Sequence, residues 1–264
     1  MSLDAEPMPI VLVASGTSTT ASATYRRIEA ECRRRFPEHA IHLAYSSRAI
    51  RKRVREKTGQ SLATPEGVFD QLIRAGCQQA VVQALHLICG IEFHYLAWRA
   101  AQSTLDIHLG LPLLAQPEDF DAVLDWIATV RPPSAKDALV LVGHGTDHPA
   151  WMSYALLDQR IRSRFGESVF LGLVKGDPAP SALAARLKAA GCRQVHLRPF
   201  MLVAGAHFMQ DISGDRPTSW QSHLQAQGLT VVPHNEGLGT HPAALAIFGR
   251  HIRAAMADRP LKLE

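Results

Sequence analysis

One strand-and-turn pattern occurs twice in this chain. The stretch VLVASGTS, Val11 to Ser18, is matched much later by VLVGHGTD, Val140 to Asp147. In each copy a short apolar run leads into a Gly-Thr turn, which is typical of a buried strand followed by a loop. A pattern that recurs along a chain indicates a repeated structural unit. The fold therefore has to contain the same strand and turn twice.

A second, longer match follows each copy in the same order. AGCQQAVVQALHLICGIEF, Ala75 to Phe93, aligns with AGCRQVHLRPFMLVAGAHF, Ala190 to Phe208, and keeps glycines, a cysteine, a glutamine and the last phenylalanine in phase. In both stretches we expect a helix, a Gly-Cys turn, a strand and a glycine-containing loop that opens the next helix. Two matches in one order predict duplicated halves related by a pseudo-twofold axis.

Short apolar runs alternate with helical periodicity between and around these matches. Strands alternating with helices predict an α/β fold of two similar lobes, each a parallel sheet flanked by helices. Seven runs are predicted to be buried strands: PIVLVAS, AIHLAYS, QAVVQALHLI, ALVLVGH, VFLGLVK, QVHLRPFMLV and LTVVPHN. Seven segments are predicted to be helices: ATYRRIEAECRRRF, TPEGVFDQLIRAG, EFHYLAWRAAQ, PEDFDAVLDWIATV, YALLDQRIRSRFG, PSALAARLKAAG and HPAALAIFGRHIRAAMA.

The boundary between the lobes is predicted at a proline-rich stretch. RPPSAKD, Arg131 to Asp137, is typical of a linker. It divides the chain into an N-terminal α/β lobe, residues 1–131, and a C-terminal α/β lobe, residues 132–264, whose last helix could pack back on the first lobe. The chain has 264 residues, of which 47% are hydrophobic, enough to bury a sizeable core.

Charge and cysteine usage narrow the classes of partner. The net charge of +4 resides largely in two basic runs, RRRF and SRAIRKRVREKTG, which lack the interleaved aromatics of a nucleic-acid platform. The four cysteines form no CxxC pair, which disfavours a disulfide framework or a thiolate zinc site. The run PIVLVA is too short to span a membrane. We expect a cytoplasmic protein without a nucleic-acid or membrane partner, and leave open whether it forms a homo-oligomer.

The repeat changes residue types in its loops while the apolar runs are kept. Ser15 aligns with His144, and Glu92 aligns with His207. In open parallel sheets, ligands gather at the carboxyl ends of strands, where these loops should lie. Two imidazoles and a carboxylate suit a divalent metal such as cobalt, nickel, iron or zinc. The alternative for each histidine is a helix cap or an ordinary loop residue.

Several motifs together resemble one known family. LVGHGTDHPAW, RPFMLVAGAHFMQDISGDRPTSW, LHLICGIEF, YSSRAIRKRVREKTG and EGLGTHPA are similar to the anaerobic cobalt chelatases of the CbiK type, within the class II chelatases. The resemblance covers nearly the whole chain. It implies two lobes with a cleft between them, in which sirohydrochlorin receives Co²⁺ for cobalamin biosynthesis without ATP or a cofactor beyond the metal. It also implies that His144, His207 and Glu92 bind the metal and take part in catalysis.

The chemistry of such a reaction fits these residue types. Metal insertion removes two pyrrole N–H protons and strips water from the ion, so the site needs loosely held ligands that also accept protons near neutral pH. Histidine does both, and the carboxylates of the macrocycle call for basic side chains nearby. The predicted substrate-binding residues are Ser15, Arg48, Arg51, Leu87, Met201 and Leu202, with Arg198 as a weaker candidate.

Two other functions stay open from sequence. One is a non-catalytic carrier of a metal or a tetrapyrrole on the same scaffold; the other is a chelatase for Fe²⁺ or Ni²⁺. The chain also departs from the family where an acidic residue is expected, because VKGDP has Lys175 there. His86, shortly before Glu92, belongs either to the cleft, to a subunit contact, or to the core as a buried hydrogen-bonded histidine.

Overall fold

A computed structural model of the chain describes residues 7–134 and 136–261 and contains two four-stranded parallel sheets. The first sheet consists of β1 (Ile10–Ala14), β2 (Ile41–Tyr45), β3 (Gln79–Ala84) and β4 (Asp106–Gly110). The second consists of β5 (Asp137–Gly143), β6 (Val169–Leu173), β7 (Gln194–Phe200) and β8 (Thr230–Pro233). The strand orders, β2-β1-β3-β4 and β6-β5-β7-β8, are the same. The predicted α/β fold with an internal duplication is confirmed.

The α-helices connect these strands, as parallel pairing requires. Ser47, Thr64 and Ser219 each accept a hydrogen bond from a backbone N–H in the first turn of the helix that follows, which stabilises the helix start. The helices of the described residues are α1 (Ala23–Arg35), α2 (Arg48–Thr58), α3 (Pro65–Arg74), α4 (Ile91–Ala101), α5 (Pro117–Val130), α6 (Met152–Phe165), α7 (Pro180–Ala189), α8 (Trp220–Ala226) and α9 (Pro242–Ala257).

The chain divides into two compact units, each with one of the sheets. Helix α5 belongs to unit 2, and nearly all of α9 belongs to unit 1. The predicted linker after Arg131 includes Ala135, which lies outside the described residues. Unit 1 consists of the chain up to Ser18, Ser22–Ala115 and the chain from Ala244; unit 2 consists of Gln116–Ala243 with Thr19–Ala21.

Within unit 1, helix α9 is held at the edge of the sheet by two backbone carbonyls. His251 Nδ1 lies 2.9 Å from the carbonyl oxygen of Leu111, and Arg35 of α1 donates to the carbonyl of Leu245 at 2.9 Å. These bonds fix the C-terminal helix against the first sheet. Unit 1 therefore combines the N-terminal elements with the last helix.

Helices cover the buried strands in both units. In unit 1, Val68 and Leu72 of α3 and Leu96 of α4 pack with Val11 and Val82 in one core cluster. In unit 2, strand β5 is buried throughout apart from its first residue. Buried strands in parallel sheets hold their carboxyl ends in place, so the loops that follow β1, β3, β5 and β7 start from fixed positions.

In unit 2, a buried tryptophan packs directly on a strand. A Cβ atom at Gly172 of β6 would lie 2.1 Å from the ring of Trp220, so the indole of α8 occupies the space that a side chain would take. Trp220 is fully buried. Glycine at this position is therefore required by packing.

Among residues 7–134 and 136–261, every helix is too short or too polar to span a lipid bilayer. The four cysteines, Cys32, Cys77, Cys89 and Cys192, are free thiols in the structure.

Candidate functional site

The first candidate histidine lies directly after β5 in unit 2. His144 is half-buried, and its Nδ1 lies 2.9 Å from the carbonyl oxygen of Gly145. A carbonyl oxygen only accepts hydrogen bonds, so this contact assigns the imidazole proton to Nδ1. Nε2 of His144 therefore keeps its lone pair and can bind a metal or accept a proton.

The backbone of this loop is held by the strand next to β5. The N–H of Lys175 donates to the carbonyl of His144 at 2.9 Å, which continues the pairing of β5 with β6. Gly145 has φ +77°, and a Cβ there would lie 1.7 Å from the carbonyl oxygen of Lys175. Only glycine fits such a conformation and such a contact. The side chain of Lys175 is exposed.

The second candidate histidine lies at the start of a short π-helical turn, Phe208–Ile212, after β7. His207 Nδ1 is 2.7 Å from Oδ2 of Asp211, and the His207 side chain is 52% exposed. Because the carboxylate is an acceptor, the ring proton again resides on Nδ1. In the neutral imidazole, the exposed Nε2 therefore carries the free lone pair.

The structure brings these two histidines together within unit 2. The ring centroids of His144 and His207 are 4.6 Å apart, with their planes at 78°. Each Nδ1 is bonded to an oxygen, which is the arrangement in which histidines bind metals through the other nitrogen. The pair can therefore offer two neutral imidazole ligands to one cation.

The equivalent loops of unit 1 bring a serine and a carboxylate together. Ser15 follows β1, and Glu92 lies in the first turn of α4. Ser15 Oγ donates to Oε2 of Glu92 at 2.5 Å, and the Glu92 side chain is 56% exposed. The N-terminus of a helix stabilises a negative charge, so the carboxylate is well placed there.

Behind Glu92 lies the histidine that the sequence left open. His86 Nε2 is 3.7 Å from Oε2 of Glu92, and His86 is only 7% exposed. Burial lowers the pKa of His86, and the Glu92 carboxylate acts in the opposite direction. No hydrogen-bond partner for either ring nitrogen is found in residues 7–134 and 136–261, so of the three alternatives the hydrogen-bonded core histidine does not describe His86.

The three predicted metal ligands are divided between the units. His144 and His207 belong to unit 2, whereas Glu92 belongs to unit 1. Within the described part of the chain, no three His, Cys, Asp or Glu side chains form a group that could hold a metal ion. The histidine pair is thus the best-defined candidate for metal binding, and a ligand role for His144, His207 or Glu92 stays a prediction.

The two predicted substrate-binding arginines lie in different environments. Arg48, the first residue of α2, is exposed. Arg51 instead donates to the carbonyls of Tyr45 and Ser46, each at 2.7 Å, and so closes the end of β2. Of the two, Arg48 is the better placed to bind an anion, and substrate binding by either stays a prediction.

The predicted apolar contacts are mostly core. Leu87 is half-buried, whereas Met201 and Leu202 are buried. The carbonyls of Met201 and Leu202 accept hydrogen bonds from Leu238 and Gly239, so this segment anchors a later loop of unit 2. Arg198, the weaker candidate, is largely buried and pairs with exposed Glu236 at 3.3 Å.

Sequence reasoning missed two features of these loops. One is Asp211, for which the His-x-x-x-Asp spacing was the available signal. The other is a pair of tyrosines at equivalent places of the repeat. Tyr25 hydrogen-bonds with the backbone of Gly16 and Tyr154 with that of Gly145. Burial raises the pKa of both phenols, that of Tyr154 to about 12, so both stay neutral supports of the loops.

Comparison with known proteins gives one consistent result. Residues 8–257 match the sequence model of a family described as Cobalt chelatase (CbiK). The chain is 31% identical over 240 residues to the sirohydrochlorin cobaltochelatase of Salmonella typhimurium, covering 89% of this chain and 88% of that protein. It is 30% identical over 261 residues to the sirohydrochlorin cobaltochelatase CbiKC of Nitratidesulfovibrio vulgaris, covering 94% and 90%.

A solved structure shows the same fold. SirB from Bacillus subtilis with Fe³⁺ superposes with a TM-score of 0.68 at 14% identity, covering 97% of this chain and 99% of that one. At such low identity the likeness concerns the arrangement of strands and helices alone.

Proposed function

This chain belongs to the cobalt chelatase (CbiK) family, and we propose that it inserts Co²⁺ into sirohydrochlorin in cobalamin biosynthesis. The observation that carries this proposal is the pair of His144 and His207, whose Nδ1 atoms are bonded to oxygens and whose Nε2 atoms keep their lone pairs. The names of the two curated relatives support cobalt as the metal and sirohydrochlorin as the macrocycle.

We propose that the histidine pair holds Co²⁺ as a substrate before insertion. Imidazole nitrogens suit Co²⁺, a borderline divalent ion. The bonds from Nδ1 to the Gly145 carbonyl and to Asp211 orient the rings and raise the basicity of Nε2. Two protein ligands leave the other positions of the ion to water, so the ion can be transferred to the macrocycle.

The reaction balances without a nucleotide or a redox cofactor. Two N–H bonds of the macrocycle break, Co²⁺ exchanges its histidine and water ligands for bonds to the four ring nitrogens, and two protons leave for protein bases and then solvent. Imidazole accepts protons near neutral pH. If His207 takes a proton at Nε2, the Asp211 carboxylate at 2.7 Å stabilises the resulting charge. We assign to Glu92 a supporting part in the same proton and metal transfer, as the family resemblance implies.

The remaining assignments follow from exposure and charge. Arg48 is proposed to bind a peripheral carboxylate of sirohydrochlorin. The four free cysteines support a reducing compartment, and we propose the cytoplasm. No cofactor is proposed beyond the metal that is inserted, and no nucleic-acid or membrane partner.

The test is anaerobic absorbance spectroscopy of sirohydrochlorin with Co²⁺ and catalytic amounts of protein. We expect multiple turnovers with the natural chain and an insertion rate about 100-fold lower with His207→Ala. His223→Ala, which removes an exposed histidine of α8 in the same unit, is the matched control and should keep the rate. The free energy of unfolding of both variants should change by no more than about 0.5 kcal/mol.

Other outcomes identify the other functions. Stoichiometric binding of metal or macrocycle without acceleration over a protein-free control would indicate a carrier. Faster insertion of Fe²⁺ or Ni²⁺ than of Co²⁺ would assign a different metal. The metal comparison is informative here because Lys175, whose backbone N–H donates to the carbonyl of His144, stands where the family resemblance leads us to expect an acidic residue. An unchanged rate in His207→Ala would remove His207 from the mechanism.

A further inference from the structure

His86 has no evident use in the state that the structure shows. Its side chain is only 7% exposed, and within the described ranges neither ring nitrogen has a hydrogen-bond partner. Leaving a buried donor unpaired is energetically unfavourable. A buried polar group of this kind calls for an explanation, and another state of the site in which the group is paired is one.

A carboxylate oxygen of Glu92, in the first turn of α4, faces the ring of His86. His86 Nε2 lies 3.7 Å from Oε2 of Glu92, which is too far for a hydrogen bond. The same oxygen accepts the bond from Ser15 Oγ at 2.5 Å. Because the Glu92 side chain is 56% exposed and His86 is enclosed, the carboxylate is the group that can move, and a shift of about 1 Å would complete the bond.

The chemical state of the ring suits a donor. A neutral imidazole carries one N–H. The carboxylate of Glu92 favours the tautomer that has this proton on Nε2. Such a ring can donate one hydrogen bond to Glu92 and leaves the carboxylate its negative charge.

We propose that His86 is a positioning residue for Glu92, and that its Nε2–H donates to Oε2 when the carboxylate turns away from Ser15. This inference rests on the proposed function. Carboxylates that meet a metal are themselves hydrogen-bonded as a rule. In unit 2, Asp211 and the Gly145 carbonyl support the two histidines. In unit 1, Ser15 and His86 then give Glu92 two alternative positions, one before and one during the transfer of metal and protons.

The experiment is a double-mutant cycle read as kcat and KM for Co²⁺ insertion. His86→Leu removes the donor, whereas His86→Gln keeps an N–H near the same place. We expect kcat to fall about tenfold in His86→Leu and to be largely restored in His86→Gln, with KM for sirohydrochlorin unchanged in both. In a Glu92→Ala background, His86→Leu should cause no further loss, because a residue that acts through Glu92 has nothing left to position.

A matched control separates positioning from packing. His108 is another buried histidine of unit 1, and its Nδ1 contacts the carbonyls of Ala255 and Asp258. His108→Leu should lower stability but add its effect independently of Glu92→Ala. Losses in His86→Leu that are equally large in both backgrounds, or a folded His86→Gln as slow as His86→Leu, would overturn the proposal.

A second measurement does not require turnover. With ¹⁵N-labelled histidine and Zn²⁺ as a diamagnetic probe, the Nε2–H signal of His86 should move downfield on metal addition in the natural chain and stay in place in Glu92→Ala. A signal that is unchanged in the natural chain overturns the positioning role. Absence of turnover by the natural chain, in contrast, overturns the proposed function, so the two failures are distinct.

Discussion

Unit 1 and unit 2 have the same strand order but carry different chemistry in the same two loops. After the first strand, unit 1 has Ser15 and unit 2 has His144; after the third, unit 1 has Glu92 and unit 2 has His207. In each unit the two side chains are adjacent, as a hydrogen-bonded pair in unit 1 and as neighbouring rings in unit 2. A duplicated scaffold thus fixes where two side chains meet and leaves their chemistry free to change.

The loops differ also in how tightly their backbone is held. A Cβ at Gly16 of unit 1 would lie 3.1 Å from side-chain atoms of Ile50 and Tyr45, which can shift. A Cβ at Gly145 of unit 2 would lie 1.7 Å from a backbone oxygen of Lys175, which cannot. The loop that carries a proposed metal ligand is therefore the more rigid of the two.

The largest expected effect tests this difference in rigidity. Gly145→Ala should lower the free energy of unfolding by about 4 kcal/mol, because it adds a backbone collision to an unfavourable φ of +77°. Gly16→Ala, with φ +95°, should lower it by about 1–2 kcal/mol, since the conformational cost dominates there. Urea unfolding of both variants measures the difference.

Gly191→Ala is the control for the conformational cost alone. Gly191 has φ +74°, and a Cβ there would meet nothing within 4 Å. Gly191→Ala should lower the free energy of unfolding by about as much as Gly16→Ala does. Equal losses in Gly16→Ala and Gly145→Ala would mean that the two loops are held alike, and the comparison between the units would fail.

The repeat made the overall fold predictable from the sequence. The strand and the two helices that were not predicted have weak sequence patterns. The seven predicted strands are present, and an eighth, β4, was not recognised because DIHLG begins with a charged residue and ends with glycine, which interrupts its apolar run. Helix α2 buries only Val54, so its apolar periodicity is weak, and α8 has seven residues. Elements with little buried surface leave little pattern in a sequence.

For the candidate site, alignment of the two copies predicted which loops matter but not how side chains pair. It identified His144 and His207, which do lie together. The bond of Arg51 to the end of β2, and the approach of His86 to Glu92, depend on rotamers and on atoms brought together by the sheet. Such contacts have no periodicity or spacing that a sequence displays.

An intermediate effect is expected at the carboxylate that supports His207. The repeat places Leu96, a buried core residue of α4, at the position of Asp211, so only unit 2 has this support. Asp211→Asn should lower the insertion rate about tenfold, because the amide keeps a hydrogen bond but cannot stabilise a protonated imidazole by charge. Steady-state insertion of Co²⁺ is the measurement.

Asp215→Asn provides the matched control, since Asp215 is exposed and lies in the same segment of unit 2. It should keep the rate of the natural chain. If Asp211→Asn were as active as this control, the charge of Asp211 would have no part in metal insertion. The two units would then differ only in their reacting side chains.

The smallest expected effect concerns histidines away from the loops that carry Ser15, Glu92, His144 and His207. Burial first, and then the positive charge of Arg198, lower the pKa of His234 and His241 in unit 2. In unit 1, burial and then Arg33 lower the pKa of His42. Arg198→Gln should therefore raise the pKa of His234 and His241 and leave that of His42 unchanged, as NMR titration of the three imidazoles can measure.

The sign of the accompanying stability change follows from these directions. A histidine whose pKa is lowered by folding binds protons more readily in the unfolded chain, so stability is lost as pH falls below the unfolded value of about 6.5. Arg198→Gln removes part of the charge repulsion in unit 2 and should make the loss of stability over that acidic range smaller than in the natural chain. If the pKa of His42 moved together with those of His234 and His241, the substitution would have disturbed both units. If none of the three moved, burial alone would account for the lowered values, and Arg198 would have no electrostatic part in distinguishing unit 2 from unit 1.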